Sequence, residues 1–155
     1  MQTLQSVRMR RLFQRLGIAL FFATLLPLFA GATGVAHAQN DEAGAVYVLT
    51  NAPSGNEVLV YGRGGDGSLT PAGAFATGGV GSGAGLGSQG AVIVSDDHQL
   101  LFAVNAGSNS ISSFRIRPGQ GLELASTVSS GGLLPTSVAF HHGLLYVLNT
   151  GTPNN

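Results

Sequence analysis

The feature of this sequence that most restricts its fold is a repeated unit in which an apolar strand ends at an asparagine. Three copies align, at residues 47–61, 101–114 and 145–155. In each copy a short turn of small residues follows the asparagine, and a further asparagine follows within the next few positions. The strand-ending asparagines lie 54 and 44 residues apart, and they are Asn51, Asn105 and Asn149. Propeller blades repeat every ~40–50 residues, so this spacing predicts a β-propeller.

Further segments complete each repeat as four short strands. Residues 90–95 and 136–140 are nearly continuous apolar runs, which is typical of inner strands that are covered on both faces. An alternating segment downstream predicts that Leu122, Leu124 and Val128 lie on one side of an outer strand. No segment of the mature chain has the 3.6-residue periodicity of a helix. The pattern therefore predicts an all-β propeller of four-stranded antiparallel blades.

The repeats are incomplete at both ends. The first copy has no inner strand before Tyr47, and the third copy stops at Asn155, where its third strand would begin. About two and a half blades are present, which is too few to close a ring. We therefore expect residues 39–155 to be the N-terminal part of a propeller domain from a longer protein. The alternative is a small open β domain formed by the same residues.

Residues 1–38 have the three parts of a signal peptide. An arginine-rich segment at residues 8–15 precedes an uncharged apolar stretch at residues 16–30. The sequence AHA follows, and it predicts cleavage between Ala38 and Gln39. The alternative is an uncleaved anchor, because the whole run without charge, at residues 16–36, is long enough to span a bilayer. The second half of that stretch is rich in glycine, alanine and threonine, so we expect cleavage and no membrane association of the mature protein.

The export signal implies a periplasmic or secreted protein of a bacterial envelope. Arg10 and Arg11, with Phe13 two places after the pair, resemble the twin-arginine motif. The match is partial, because Met9 stands where serine or threonine is usual. Twin-arginine export and ordinary secretion therefore both remain open.

The composition excludes several classes of function. Without cysteine the chain has no disulfide, no thiol catalysis and no cysteine-bound zinc. From Gln39 onward three arginines stand against seven acidic residues, a net charge of −4, and the chain has no lysine. Nucleic-acid binding normally needs a basic stripe, so we expect no nucleic acid as a partner. We also expect no cofactor, and the sequence identifies no partner protein.

Several residues with catalytic potential occupy positions that indicate structural roles. His98 and the His141–His142 pair fall in hairpin turns, where neighbouring side chains rarely converge on one ion, so no metal site is predicted. Residues 85–90 have G-x-G-x-x-G spacing but lead into a strand instead of a helix, which argues against a nucleotide site. The repeated asparagines are predicted to order the turns that follow them.

The predicted ligand site is the mouth of the central channel. Propeller ligands usually meet the loops at the ends of the inner strands. Gln89, Thr136 and Ser137 are polar residues at those ends, and we predict that they bind a small-molecule ligand. No acid, histidine or arginine of this chain is expected to face the channel, so the catalytic residues stay unknown.

The asparagine-ending strands also resemble a known family. Residues 47–51 (YVLTN), 102–105 (FAVN) and 146–149 (YVLN) are similar to the YVAN repeats of seven-bladed lactonase propellers, which include proteins similar to 6-phosphogluconolactonase and 3-carboxymuconate cyclase. The resemblance implies a lactonase-like propeller that acts on a lactone or carboxymuconate-type ring, and the signal peptide makes it an exported one. Related YVTN-type repeats occur in surface and binding proteins without known catalysis. A non-catalytic envelope binding or scaffold propeller is therefore the alternative, and whether the protein is an enzyme stays open.

Overall fold

The computed structural model describes residues 42–151, which form nine β-strands in three antiparallel sheets. The predicted signal peptide, its cleavage site at Ala38 and Gln39, and residues 152–155 lie outside this range. The strands are β1 (Glu42–Leu49), β2 (Glu57–Gly64), β3 (Leu69–Ala76), β4 (Val92–Val94), β5 (Leu100–Asn105), β6 (Ser110–Arg117), β7 (Gly121–Ser129), β8 (Leu133–His141) and β9 (Leu144–Gly151).

The three sheets follow the order of the repeats. The first sheet has the order β1-β2-β3, the second β4-β5-β6-β7 and the third β8-β9. Within the described residues the first sheet has no counterpart of the inner strand β4, as the missing apolar run before Tyr47 predicts. The predicted all-β fold, an incomplete propeller of about two and a half blades, is confirmed. Residues 42–151 contain no helix, and so no helix that is long and apolar enough to cross a membrane.

The core lies between the sheets and is divided into two clusters by β5. The cluster that joins the first and second sheets consists of Val58, Val60, Leu101, Ala103, Phe114 and Leu122. The cluster that joins the second and third sheets consists of Phe102, Val104, Ile111 and Val138. Because successive residues of β5 enter opposite clusters, residues 101–105 are all buried. A strand covered on both faces needs a continuous apolar run, which explains the sequence of β5.

The prediction that Val128 shares a side with Leu122 and Leu124 is wrong, because β7 contains a bulge. Leu124 pairs with Phe114, whereas Val128 pairs with Ile111. Phe114 belongs to the cluster between the first two sheets, and Ile111 belongs to the cluster between the second and third. One extra residue in β7 at the register shift therefore moves Val128 to the opposite face of the sheet.

The turn after β1 is longer than the turn after β5, and this displaces the repeated asparagine. Asn105 forms the last pair of its hairpin, with Ser110. In the first sheet the corresponding position is Thr50, whose N–H donates to the carbonyl oxygen of Glu57 over 3.0 Å. Thr50, and not Asn51, therefore occupies the structural position of Asn105. The sequence alignment of these two asparagines is wrong by one residue.

The outward face of β9 is uncovered within the described residues. Leu144, Tyr146 and Leu148 are 59%, 58% and 58% exposed. Phe102 and Val104 occupy the corresponding positions of β5 and are 7% and 0% exposed. The difference arises because the third sheet packs on β5, whereas no described element packs on this face of β9.

Candidate functional site

A buried amide network joins the first two sheets on the side where the inner strands begin. The Asn105 side chain is fully buried, and its Oδ1 accepts hydrogen bonds from Thr77 Oγ1 over 2.6 Å and from Asn56 Nδ2 over 3.0 Å. Its Nδ2 donates to Ser112 Oγ over 2.7 Å and to Ser110 Oγ over 3.2 Å. The predicted structural role of this asparagine is confirmed, and it extends from its own turn to the neighbouring sheet.

At two of the interfaces between neighbouring sheets, a glycine leaves space for the side chain of the repeated asparagine. A Cβ atom on Gly79 would lie 2.5 Å from Asn105 Cγ, and a Cβ atom on Gly132 would lie 2.8 Å from Asn149 Cγ. Each glycine is the last residue of a Thr-Gly-Gly or Ser-Gly-Gly sequence. Asn149 Nδ2 also donates to the carbonyl oxygen of Ser130, while its buried Oδ1 has no partner within the described residues. These paired glycines are a second repeated motif that the strand pattern alone did not reveal.

Asn51 holds the glycine-rich loop that connects the first two sheets. Its Nδ2 donates to Ser82 Oγ over 3.0 Å and to the carbonyl oxygen of Ala84 over 2.7 Å, and its Oδ1 accepts from the N–H of Ser82 over 2.9 Å. The loop passes so close to the turn that a Cβ atom on Gly81 would lie 2.0 Å from the carbonyl carbon of Asn51. The side chain that follows β1 thus fixes the path of the loop toward β4.

The loop and the turn enclose a groove beside the start of the inner strand β4. Its volume is about 500 Å³, and small-molecule sites usually measure roughly 300–1,000 Å³. None of the described residues that line it has an ionisable side chain. The lining is formed by Thr50, residues 51–53, residues 83–88 and Ala91. The groove therefore offers backbone amides, hydroxyls and small apolar surfaces to a ligand.

The structure places Gln89 just before β4, whereas Thr136 and Ser137 lie inside β8 and not at its start as predicted. Gly90, which follows Gln89, accepts a hydrogen bond from the N–H of Val138 over 2.8 Å, and a Cβ atom on Gly90 would lie 2.5 Å from Ser137 Oγ. The segment just before β4 is thus brought against the middle of β8. Gln89 is exposed and Ser137 is half-buried, whereas Thr136 is 4% exposed and is turned into the protein. A binding role for these residues stays a prediction.

The histidines lie at hairpin turns, as predicted. His98 has a φ angle of 56°, and its N–H donates to the carbonyl oxygen of Ser95 over 2.8 Å. His141 and His142 stack on each other with ring centroids 3.8 Å apart. Within residues 42–151 no group of three or more histidine, aspartate or glutamate side chains is placed to hold a metal ion.

Two aspartates with lowered pKa values close turns and do not form an acid–base pair. The Ser95 hydroxyl, which donates to Asp97 Oδ1 over 2.6 Å, and the N–H of Gln99 hold the pKa of Asp97 below its usual value. The N–H of Ser68 and then its hydroxyl lower the pKa of Asp66 in the same way. Both carboxylates are fully exposed, and their hydrogen bonds stabilise local turns.

The described groove can bind a ligand, but its side chains do not supply acid–base chemistry. Hydrolysis of an ester or lactone needs a base or a metal-bound water and a group that stabilises the tetrahedral oxyanion. The hydroxyl of Ser88 in the lining can donate a hydrogen bond to a carbonyl oxygen, and it is not a base near neutral pH. These groups can therefore orient a ligand, and they supply no catalytic base.

Comparison with protein families gives one match, and it covers most of the chain. The family model described as "Lactonase, 7-bladed beta-propeller" matches residues 37–152. The match includes all nine strands of the three sheets. Comparison with curated proteins and with solved structures gives no match.

Proposed function

This chain belongs to the lactonase family of seven-bladed β-propellers, and on that premise we propose that it forms part of an exported enzyme that acts on a lactone or carboxymuconate-type ring. The observation that carries the proposal is the family match over residues 37–152. The groove beside β4 supports it, because its volume of about 500 Å³ suits a small cyclic ester.

The lining of the groove favours an uncharged lactone over a carboxylated ring. A carboxylate needs a cation or several N–H donors to replace its hydration. The described lining contains no arginine, lysine or histidine. In the proposed complex the Ser88 hydroxyl donates to the lactone carbonyl, while Leu86 and Ala91 contact the ring carbons. Gln89 and Ser137 are not part of the described lining, and their binding role stays a separate prediction.

A non-catalytic binding propeller is the second candidate, and one observation favours it. The described groove has no ionisable side chain, so it contains no general base. A scaffold or binding protein needs only the hydrogen-bond donors and apolar contacts that the groove provides. The two candidates therefore differ in turnover and share the same binding groups.

Hydrolysis of a panel of uncharged and carboxylated lactones by a full-length protein that contains this chain tests the proposal, since the chain alone is not expected to be active. We expect ring opening above the spontaneous rate for uncharged lactones, with a loss of about tenfold or more in Ser88→Ala, because Ser88 lines the groove. Ser126→Ala, on the outer strand β7, is the matched control and should keep full activity. Saturable lactone binding without turnover would favour the non-catalytic propeller, and absence of both would exclude this groove as the site.

Export is the second part of the proposal, and it predicts the N-terminus of the mature protein. Because the A-x-A sequence directs cleavage after Ala38, the protein recovered from the cell envelope or medium should begin at Gln39. Lysine substitution of both Arg10 and Arg11 should block export if the twin-arginine route is used, and should leave it unchanged for ordinary secretion. N-terminal sequencing of fractionated cells measures both results, and a cytoplasmic protein that keeps Met1 would contradict the proposal.

A further inference from the structure

A second cleft lies between the first and second sheets, at the opposite end of the strands from the groove. The groove borders Thr50 after β1 and Ala91 before β4, whereas this cleft borders Gly44 near the start of β1 and Val94 at the end of β4. Its volume is about 590 Å³, which also lies in the roughly 300–1,000 Å³ range of small-molecule sites. Its other lining residues are Ala45, Tyr47, Arg63, His98 and Ile116.

The cleft exists because small residues occupy the start of β1. Gly44 and Ala45 place no large side chain between the sheets, and a Cβ atom on Gly44 would meet only open space. Farther along the same interface the space between the sheets is filled by the core cluster. Tyr47, Val94 and Ile116 pack against that cluster and form apolar walls of the cleft. The floor of the cleft is therefore part of a well-packed core.

The polar groups of the cleft come from both sheets. Arg63 lies near the end of β2 and pairs in register with Gly44. His98 comes from the β4–β5 turn, where the neighbouring Asp97 carboxylate is engaged by the turn's own hydroxyl and N–H groups. Burial raises the pKa of Tyr47, so its hydroxyl stays neutral and can donate a hydrogen bond. No described residue that lines the cleft is acidic.

We propose that this cleft binds a small carboxylate with a flat apolar body. The guanidinium fork of Arg63 matches a carboxylate in two parallel hydrogen bonds, and His98 can donate a third. Arginine has five N–H donors, so Arg63 can hold the ligand while it keeps other interactions within the protein. The apolar body lies against Tyr47, Val94 and Ile116.

A phosphate ester is a poorer fit for the same cleft. It carries up to two charges, and the apolar walls would remove both from water against a single guanidinium. A carboxylate carries one charge, and its flat shape suits the space left by the small residues of β1. This inference concerns a different site from the groove and does not rest on the lactonase proposal.

Titration of the full chain with benzoate, followed by NMR or calorimetry, tests the proposal, with benzyl alcohol as the uncharged ligand of the same shape. We expect saturable benzoate binding that is at least about tenfold stronger than benzyl alcohol binding. Arg63→Gln should weaken benzoate binding about tenfold or more. Arg115→Gln is the matched control, because Arg115 is exposed and lies on the opposite side of β6 from Ile116.

A second variant tests the shape of the cleft without changing its charge. Ala45→Leu places a larger apolar side chain in the space proposed for the ligand body, and we expect it to weaken benzoate binding about tenfold or more. Circular dichroism establishes that each variant is folded. The proposal is overturned if benzoate does not bind, if benzyl alcohol binds equally well, or if Ala45→Leu keeps the affinity of the unmodified chain.

Discussion

At the scale of single residues, the interface between the first two sheets depends on the Asn105 side chain. The alanine variant removes the oxygen that accepts from Thr77 and Asn56, and it removes the nitrogen that donates to Ser112. All three partner residues are buried. A buried group left without a partner costs about 1–3 kcal/mol. For Asn105→Ala we therefore expect the free energy of unfolding to fall by roughly 2–4 kcal/mol in urea titrations.

Ser113→Ala is the matched control for that substitution, because it removes a hydrogen bond from the same sheet at an exposed position. Ser113 Oγ lies 2.8 Å from Ser126 Oγ on the solvent side of β6 and β7. Water can replace the lost partner, so the free energy of unfolding should fall by less than about 1 kcal/mol. Equal losses of unfolding free energy in the two variants would show that the Asn105 network does not stabilise the interface between the first two sheets.

The glycine beside Asn105 makes a separate residue-scale prediction. Gly79 has no positive φ angle, so alanine at this position is disfavoured only by the contact of its Cβ with the Asn105 side chain, which four hydrogen bonds hold in place. We expect Gly79→Ala to lower the free energy of unfolding by about 1–3 kcal/mol. A Cβ atom on Gly65 would have no neighbouring atom in contact, so Gly65→Ala should change the free energy of unfolding by less than about 0.5 kcal/mol. A neutral Gly79→Ala variant would contradict the close fit.

At the scale of elements, β9 has one covered face and one open face, and two adjacent residues distinguish them. Val147 packs against the cluster between the second and third sheets, whereas Leu148 is 58% exposed. We expect Val147→Asp to lower the free energy of unfolding by about 2 kcal/mol or more, because it places an unpaired charge against an apolar cluster at a half-buried position. Leu148→Asp should lower it by less than about 1 kcal/mol.

Urea titrations of the two β9 variants also test the register of the hairpin. In the structure Val147 pairs with Val138 and Leu148 pairs with Ser137. A shift of one residue would exchange the two faces, because the side-chain period of a strand is two. If Leu148→Asp proved the more damaging substitution, the register of β8 and β9 would be wrong.

The bulge in β7 and the longer turn after β1 are also element-scale features. Each adds residues to one strand or loop, and the same strands still pair with each other. The bulge places Val128 on the face opposite Leu124, and the longer turn places Thr50 where the second repeat has Asn105. These insertions change which side chains meet across the sheet, and they leave the order of the strands unaltered.

At the scale of the whole molecule, the uncovered face of β9 predicts self-association. Leu144, Tyr146 and Leu148 form an exposed apolar stripe, and contiguous apolar surfaces of this kind usually bind another surface. We expect sedimentation velocity to show concentration-dependent association of the chain, and Tyr146→Lys to weaken it severalfold. Leu69→Lys, which replaces an isolated residue that is 52% exposed on β3, is the control. Association that is absent, or equally weakened by both variants, would contradict this prediction.

Much of the fold could be predicted because its signals are local. The continuous apolar runs of the inner strands, the alternation of the outer strands and the turn residues between them each depend on a few neighbouring positions. The repeat spacing then indicates how many sheets form and in what order. One neighbourhood follows from the same reasoning, since the structure brings Gly90, which follows Gln89, against Ser137 of the next inner strand.

The sequence by itself thus determined the strands, their antiparallel order, the division into incomplete blades and the family. Only the tertiary structure decided that Thr136 is buried, that Val128 changes face, that Thr50 replaces Asn51 in the repeat, and that Arg63 and His98 border one cleft. The physical reason is the range of the interactions. Strand formation follows a two-residue period along the chain, whereas burial, register and cleft lining depend on contacts between sheets whose residues lie 30 to 50 positions apart.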